Sequence, residues 1–528
     1  MTEQVGSNRW LSLMVIMIGT FMAILSSGLV NIAIPKMMSV FGVSLADVTW
    51  VITGYTLAMG SIVPITGFLS DTIGTKKLYV SALALFTLGS ALSGMAWSNN
   101  AMIIFRIIQA IGGGLLMPVG MTIIFTLFPI EERGKALGIW GIGAMCAPAL
   151  GPTLGGYIIT SLDWRLLFYI NVPIGIIGII FGMLLLQETP TKPYEGNFDI
   201  IGFITSVLGI ACTLYVVGKW STLDWSEIQY PLLLAVGIGN LVLFVVNELT
   251  HANPLLDLRI LKIYNYSLSQ VITAVTTLAM MGGIYVLPLY LQSIRGYTAL
   301  QSGIILLPSA IASGIMMPLS GAIFDRMGVK IVTVPGLLIL GITTYQLSFL
   351  SLDTSNFTII MISTIRGLGL GLAMMPVNTA GMNDVPAHLI GKASALANTI
   401  KNILSSVSVT LVATMISTRT NLYYGKLAEQ VNPFNPVAVD ALSTLQRLYM
   451  SSGLVVSEAQ SSTMLTLTGL IQKQAYLDAI DYAVAFTAIA VALALLMTLI
   501  MRTAQINENT GNEETRHETK QQPATVLD

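Results

Sequence analysis

Runs of about twenty apolar residues, separated by short polar breaks, recur along almost the whole chain. A helix crossing a hydrocarbon core of about 30 Å needs roughly 20 such residues, because every backbone amide must find its partner inside the segment. The pattern predicts fourteen membrane-spanning helices, at approximately 11–34, 48–70, 78–98, 101–128, 136–162, 166–187, 200–218, 230–247, 266–294, 302–324, 331–352, 355–382, 391–418 and 482–501. The first run is longer than the roughly 7 to 15 residues of a signal-peptide core and lacks a small-x-small cleavage site, so it reads as a retained helix. Residues 419–478, between the last two spans, alternate apolar and polar positions near LQRLYMSSGLV and MLTLTGLIQ. That suggests short interfacial helices in a long extracytoplasmic connection, although a solvated loop fits the same pattern. Residues 504–528 are polar and aperiodic and are expected to form a disordered cytoplasmic tail.

Composition agrees: 54 % of the residues are hydrophobic and 10 % charged, where a soluble protein carries about a quarter charged residues. A water-soluble surface cannot be built from that. The net charge of −1 hides an asymmetry. Threading the spans with the N-terminus inside places Arg9, Lys76, Lys77, Arg133, Lys135, Lys192, Arg259, Lys262, Arg326, Lys330, Lys392 and Arg502 on one side, against Lys36, Arg165, Lys219 and Arg295 in the opposite short loops. By the positive-inside rule both termini are expected in the cytoplasm. The two cysteines, Cys146 and Cys212, lie in apolar runs, and His251, His388 and His517 lie in loops or the tail. No metal-ligand spacing or nucleophile elbow stands out, so no cofactor, metal, nucleic-acid partner or enzymatic centre is expected.

The chain also repeats itself. After the second span it reads GFLSDTIGTKK from Gly67, and after the tenth GAIFDRMGVK from Gly321; RIIQAIGGGLLMP starts at Arg106 in the fourth span and RGLGLGLAMMP at Arg366 in the twelfth; GKALGIW starts at Gly134 and GKASALAN at Gly391. The three pairs share a separation of about 255 to 260 residues and eight helices, as a duplication requires. The expected organisation is a six-helix bundle over 1–190, two inserted helices and a linker over 191–260, and a second six-helix bundle over 261–503 that carries the long loop. Two parallel repeats around a midplane site are a transporter architecture.

GFLSDTIGTKK resembles the loop signature of the major facilitator superfamily, and ALGPTLGG at 149–156 resembles the antiporter signature of its fifth helix. WVITGYTLA from Trp50, DWRLLFYINVPIG from Asp163 and YLQSIRGYTALQSGIILLP from Tyr290 resemble the fourteen-helix drug:proton antiporters of the EmrB/QacA type. The resemblance implies an all-α membrane fold in a bacterial cytoplasmic membrane. It also implies export of drugs or other amphipathic small molecules driven by inward proton flow, with a periplasmic adaptor where the envelope has two membranes. It makes the loop a conformational latch between the halves. Thr72 and Thr75 stand where the family often places arginine, which weakens that latch.

Physical reasons attach to the motif residues. Gly67 and Gly74 let the loop turn tightly, Asp71 and its copy Asp325 can face the positive end of a neighbouring helix, and Lys76 and Lys77 stay at the interface. Pro148 and Pro152 remove backbone hydrogen bonds, while Gly151, Gly155 and Gly156 permit close contact, so the fifth helix is expected to be bent and closely packed. Arg106 is the strongest site candidate, because a central arginine costs about 2.5 to 3.5 kcal/mol and must face protein or water. Gln109 and Asn31 are its expected partners, with Tyr55, Arg366 and Lys401 as further cavity candidates and an aromatic role open to Trp140 and Tyr285.

The first helix breaks the family pattern. Where relatives carry an aspartate in Leu-Asp-x-Thr-x-Val-Asn, this chain reads LSSGLVN, with Ser26 in the aspartate's place, and serine neither carries a proton nor attracts a cation near neutral pH. No carboxylate is expected near a midplane. Asp163 is the extracytoplasmic carboxylate candidate, expected to be kept ionised by Arg165. A cavity holding Arg106, Arg366 and Lys401 is expected to be electropositive and to favour anionic, zwitterionic or neutral amphipaths. Alternatives from the same residues are an exporter of an endogenous anionic or lipid-like metabolite and a non-transporting sensor.

Overall fold

A computed structural model describes residues 2–188, 198–220, 223–251, 253–432 and 434–502, and all regular structure among them is helical. The long helices are α1 (Thr2–Phe41), α2 (Asp47–Ile73), α3 (Thr75–Gly94), α4 (Asn99–Leu127), α5 (Ile130–Ser161), α6 (Leu166–Leu185), α7 (Ile200–Gly218), α8 (Gln229–Thr250), α9 (Tyr264–Ile294), α10 (Ala299–Met327), α11 (Val329–Phe349), α12 (Asn356–Asn383), α13 (Ile390–Gln430) and α14 (Val456–Ile500). Thirteen of them are long and apolar enough to cross a membrane. The fourteenth, α5, has 32 residues and packs between α1 and α10.

Helix starts are set by side chains that satisfy the first free amides. Ser98 accepts from Ala101 N at 3.2 Å to open α4, and Ser355 accepts from Thr358 N at 3.1 Å to open α12. Thr298 and Gln301 form a reciprocal capping box at α10. The α2–α3 and α10–α11 breaks fall on matching glycines, Gly74 with φ 91° and Gly328 with φ 82°, conformations that a side chain would strain.

Residues 419–478 are mainly helical, as the short-helix alternative expects and the solvated-loop alternative does not, but the flanking helices run further than expected: α13 continues to Gln430, a separate helix covers Pro436–Ser451, and α14 begins at Val456. At 41 and 45 residues, α13 and α14 each reach at least about 60 Å, so they project well beyond a core of about 30 Å. The expected tail at 504–528 and Lys192 lie outside the described residues.

The inserted pair packs through small residues, Gly209 against Leu241 and Gly237 against Thr213. Helix α7 also stacks Tyr215 on Trp50 of α2, with ring centroids 5.5 Å apart. Helix α8 leaves Leu232, Val236, Val242, Leu243 and Val246 exposed, as a helix facing lipid does.

The buried core is unevenly divided. At the end carrying Lys76, Lys135, Lys330 and Lys392, called the basic end below, one continuous cluster joins both repeats: Leu13, Phe86, Phe125 and Leu137 from the first, Tyr266, Met317, Met382 and Leu396 from the second. At the opposite end the repeats have separate clusters, one around Leu29, Val51 and Trp164 and the other around Val286, Ile359 and Ile480. A fourth cluster, around Leu337, Leu370 and Val491, lies within the second repeat and reaches the basic end at Val329 and Met501.

Candidate functional site

The basic end is closed by two matching contacts. Asp325, at the end of α10, accepts from the Gly134 and Lys135 amides at 2.9 Å each, in the first turns of α5. Those amides form the positive pole of the helix, where a carboxylate is held most strongly. Directly below, Gly321 lies so near Gly134 that a Cβ there meets the Gly134 carbonyl. In the matching copy, Gly67 packs on Lys392, its Cβ position 3.2 Å from Lys392 Cα, and Asp71 faces Gly391 in the first turn of α13. Arg133 adds a tie between repeats, donating to Asn383 Oδ1 at 3.1 Å. Lys76 is half-buried and Lys77 exposed. Glu188 sits under Gly74 and accepts from Lys76 N at 3.2 Å, so it caps α3. The sequence reading did not single out Glu188.

Inside the first repeat, Arg106 is buried at 1 % exposure within a polar cluster. Its Nη1 donates to Gln109 Oε1 at 2.6 Å and to Ser26 Oγ at 3.1 Å, and its guanidinium lies 3.8 Å from the ring centre of Tyr55. Gln109 Nε2 in turn donates to Ser26 Oγ at 3.1 Å and to Ser90 Oγ at 2.8 Å, and Asn171 Nδ2 reaches the same Ser90 hydroxyl at 3.1 Å. Tyr55 is fixed by donating to Ala23 O at 3.3 Å. Gln109 is thus a partner of Arg106, as expected, whereas Asn31 is not: it lies in an exposed position of α1, and Ser26, more than a turn earlier on that helix, takes the contact. Among the described residues no carboxylate pairs with Arg106, and its Nε is buried without a hydrogen-bond partner. The cation is held by neutral dipoles and a π face, which stabilise it less than an ion pair.

Arg366 holds the matching place in the second repeat with different partners. Its Nη2 donates to Ala279 O of α9 at 2.8 Å and its Nε to Thr344 Oγ1 of α11 at 3.3 Å, with Gly283 against the guanidinium. At 5 % exposure it ties three helices together and lines only a small cavity inside its own bundle, beside Gly283, Thr344 and Val484. The expected cavity of three cations is therefore corrected: Arg106 and Arg366 are both sealed in their own bundles, because an unpaired charge in a membrane interior gathers dipoles around itself. Lys401 differs. It is partly exposed, deep within the protein, and has no hydrogen bond or ion pair among the described residues.

The antiporter segment stays helical throughout α5. Its packing is close near the basic end, where Gly138 and Gly141 meet Met317, and looser further on, where the Cβ positions of Gly151 and Gly156 are 3.8 Å from Gly28 and Leu300. Gly155 remains tight, its Cβ position 3.0 Å from Ile32. Nothing is described of the Pro148 and Pro152 side chains. Trp140 is a packing residue, buried and donating to Thr20 Oγ1 at 3.0 Å, while Tyr285 is partly exposed. Asp163 is exposed and accepts from the backbone amide of Arg165 at 2.8 Å, while the Arg165 guanidinium reaches Ala96 O at 3.3 Å. The expected pairing of the two side chains is absent among the described residues. Two carboxylates lie inside helices where none had been singled out: Glu248, fully buried near the end of α8 and accepting from Leu256 N at 2.9 Å, and Asp481, in the continuous helix α14. Glu248 lies two residues before the end of α8, and Asp481 lies well inside α14, immediately before the apolar run at 482–501.

Known proteins share this arrangement. The MFS-type transporter YhcA of Bacillus subtilis, described as uncharacterized, is 41 % identical over 82 % of this chain and 81 % of its own. The lincomycin resistance protein LmrB of Listeria monocytogenes is 31 % identical over 79 % of this chain and 88 % of its own. The multidrug export protein EmrB of Escherichia coli K12 is 30 % identical over 82 % and 85 %. Among solved structures, the human organic anion transporter MFSD10 aligns with a TM-score of 0.62 at 10 % identity, covering 93 % of this chain and 99 % of its own. The proton:xylose symporter XylE aligns with 0.59 at 14 %, covering 94 % and 97 %. These structural likenesses show the fold alone. The model of the Major Facilitator Superfamily matches residues 16–409, and the chain belongs to that family of multi-pass membrane transporters.

Proposed function

We propose that this transporter exports amphipathic small molecules, drugs among them, from a bacterial cytoplasm by alternating access coupled to inward proton flow. On this reading both termini and the basic end are cytoplasmic, the bundles over 1–190 and 261–503 rock against each other, and Asp71, Asp325 and their glycines form the cytoplasmic latch. The observation that carries the reading is the uneven core: a cluster shared by both repeats at the basic end, and at the other end only clusters belonging to one repeat each. A molecule sealed at one end and divided at the other has the form of one extreme of a rocking cycle. Likeness to LmrB and EmrB supports the substrate class and the outward direction.

Efflux of a fluorescent lipophilic cation and of a fluorescent anionic amphipath, from cells making the protein, tests this with and without a protonophore. Protonophore-sensitive efflux of either dye is the expected result. Efflux unaffected by the protonophore removes proton coupling, and efflux of neither dye removes drug export.

A further inference from the structure

Helix α13 changes character abruptly about one quarter of the way along. From Ala393 to Thr399 every residue is buried, and two of them reach α4: Ser394 Oγ donates to Pro118 O at 2.8 Å and Asn398 Nδ2 approaches Met121 Sδ at 3.7 Å. From residue 400 to 407 every position is partly exposed. The change affects all sides of the helix at once, so it marks the level at which the repeats part. Lys401 lies just beyond it, on the same face as Ser394 and Asn398, seven and three residues further along. At 1.5 Å per residue it is about 17 Å from the start of α13, near mid-depth.

The opened stretch is polar. Asn402, Ser405, Ser406 and Thr410 are partly exposed on the same helix, a composition unsuited to lipid and suited to a wet internal wall. Lys401 is the charged residue of that stretch, and Arg106 and Arg366 are occupied elsewhere. A lysine held at mid-depth without a counter-ion is stabilised by any anion that reaches it, because Coulomb attraction in a poorly solvated cavity exceeds that in water several-fold.

We infer that Lys401 is the binding residue for the acidic group of the transported molecule, which makes the substrate class anionic or zwitterionic amphipaths rather than lipophilic cations. The apolar part of such a molecule lies against the partly exposed Leu404, one turn along the same face of α13. Substrate identity here rests on the export reading, but binding is separable from it. Nothing in this assignment requires the family's first-helix acid, and Ser26 in that place removes a group that would repel an anion.

The test is binding of carboxyfluorescein and of ethidium to the purified full chain by fluorescence anisotropy, for the wild type, Lys401→Arg, Lys401→Met and Lys401→Glu, each with a thermal unfolding curve. Carboxyfluorescein binding should persist within about threefold in Lys401→Arg and weaken about tenfold or more in Lys401→Met and Lys401→Glu, at unchanged unfolding temperature. Ethidium binding should be no weaker in Lys401→Met and stronger in Lys401→Glu. The inference is overturned if Lys401→Met binds carboxyfluorescein as the wild type does, or if the wild type binds only ethidium. Efflux of the same dyes separates the two readings. Lys401-dependent binding without efflux keeps this inference and removes export, whereas ethidium efflux without Lys401-dependent anion binding does the reverse.

Discussion

The two repeats carry an arginine at the same place and use it differently. Arg106 is held by side chains, Ser26, Gln109 and the Tyr55 ring, contributed by three helices and linked onward to Ser90 and Asn171. Arg366 is held mainly by the main chain, through Ala279 O. A side-chain network rearranges when one member moves, whereas a carbonyl tie is fixed by the helix that carries it. The matching contacts at the basic end also differ. Gly321 allows α10 to lie directly on the backbone of α5, while Gly67 meets Lys392 less closely, its Cβ position 3.2 Å from Lys392 Cα. Duplication preserved positions, and the physical role at each position then diverged.

The sharpest break of that comparison is at the glycines. A methyl at Gly321 has nowhere to go but into the Gly134 peptide, whereas at Gly67 the neighbour needs to move by a few tenths of an ångström. Gly321→Ala should separate α5 from α10, costing about 1–3 kcal/mol of the closed basic end and lowering efflux about tenfold or more. Gly67→Ala should lower it less than about threefold. Efflux rates normalised to membrane-inserted protein decide this, and equal losses would mean that the two latches are equivalent.

The arginines come next. Arg366→Gln should destabilise the protein by about 2 kcal/mol, because α12 loses its charge-assisted tie to α9, and efflux should fall only with the amount of folded protein. Arg106→Gln loses the bonds to Gln109 and Ser26, so stability should fall by a similar amount, about 2 kcal/mol, while efflux per folded molecule also falls about tenfold because the network is disassembled. Thermal unfolding in detergent beside efflux separates the cases. A stability loss shared by both variants, with normal residual efflux, would make Arg106 a structural tie like its copy.

Much of this was legible in the chain because membrane physics leaves strong marks. Twenty-residue apolar runs and the placement of Lys76, Lys135, Lys330 and Lys392 located the helices, and the repeated Gly-x-x-x-Asp located the matching contacts at the basic end. What spacing could not supply was direction. Gln109 is one turn from Arg106 and was identified as its partner, but Ser26 and Asn31 are both polar residues of α1, and helical rotation decides which one meets the arginine. The same limit made Arg366 and Lys401 look alike, since a polar residue in an apolar run shows that it must be sheltered and not by what. Residues 419–478 read as a connection because their alternation weakens the apolar signal, although the two adjoining helices simply continue into that region.

Ser26 offers a smaller and more specific test. Its hydroxyl lies 3.1 Å from both Arg106 Nη1 and Gln109 Nε2, so a carboxylate there would gain two donors and give Arg106 its missing counter-charge. Ser26→Asp should raise stability by about 1–2 kcal/mol and bring the first repeat further from the second in character. Ser26→Ala should lower it by about 1 kcal/mol. A destabilised Ser26→Asp would show that the cluster has no room for a carboxylate.

The smallest effect is expected at Asp163. Its carboxylate closes a turn by accepting from the Arg165 amide at an exposed site, and the Arg165 guanidinium is engaged with Ala96 O. Neither residue encloses the other or faces the opening beside α13. Asp163→Asn keeps an acceptor for the same amide, so stability should stay within about 0.5 kcal/mol of the wild type. The pH dependence of efflux should be unchanged, since a solvated carboxylate that meets no substrate has no reason to gate the cycle. Loss of protonophore-sensitive efflux in Asp163→Asn, at unchanged stability, would instead place the proton-carrying group of this chain at its outer rim, outside both arginine sites.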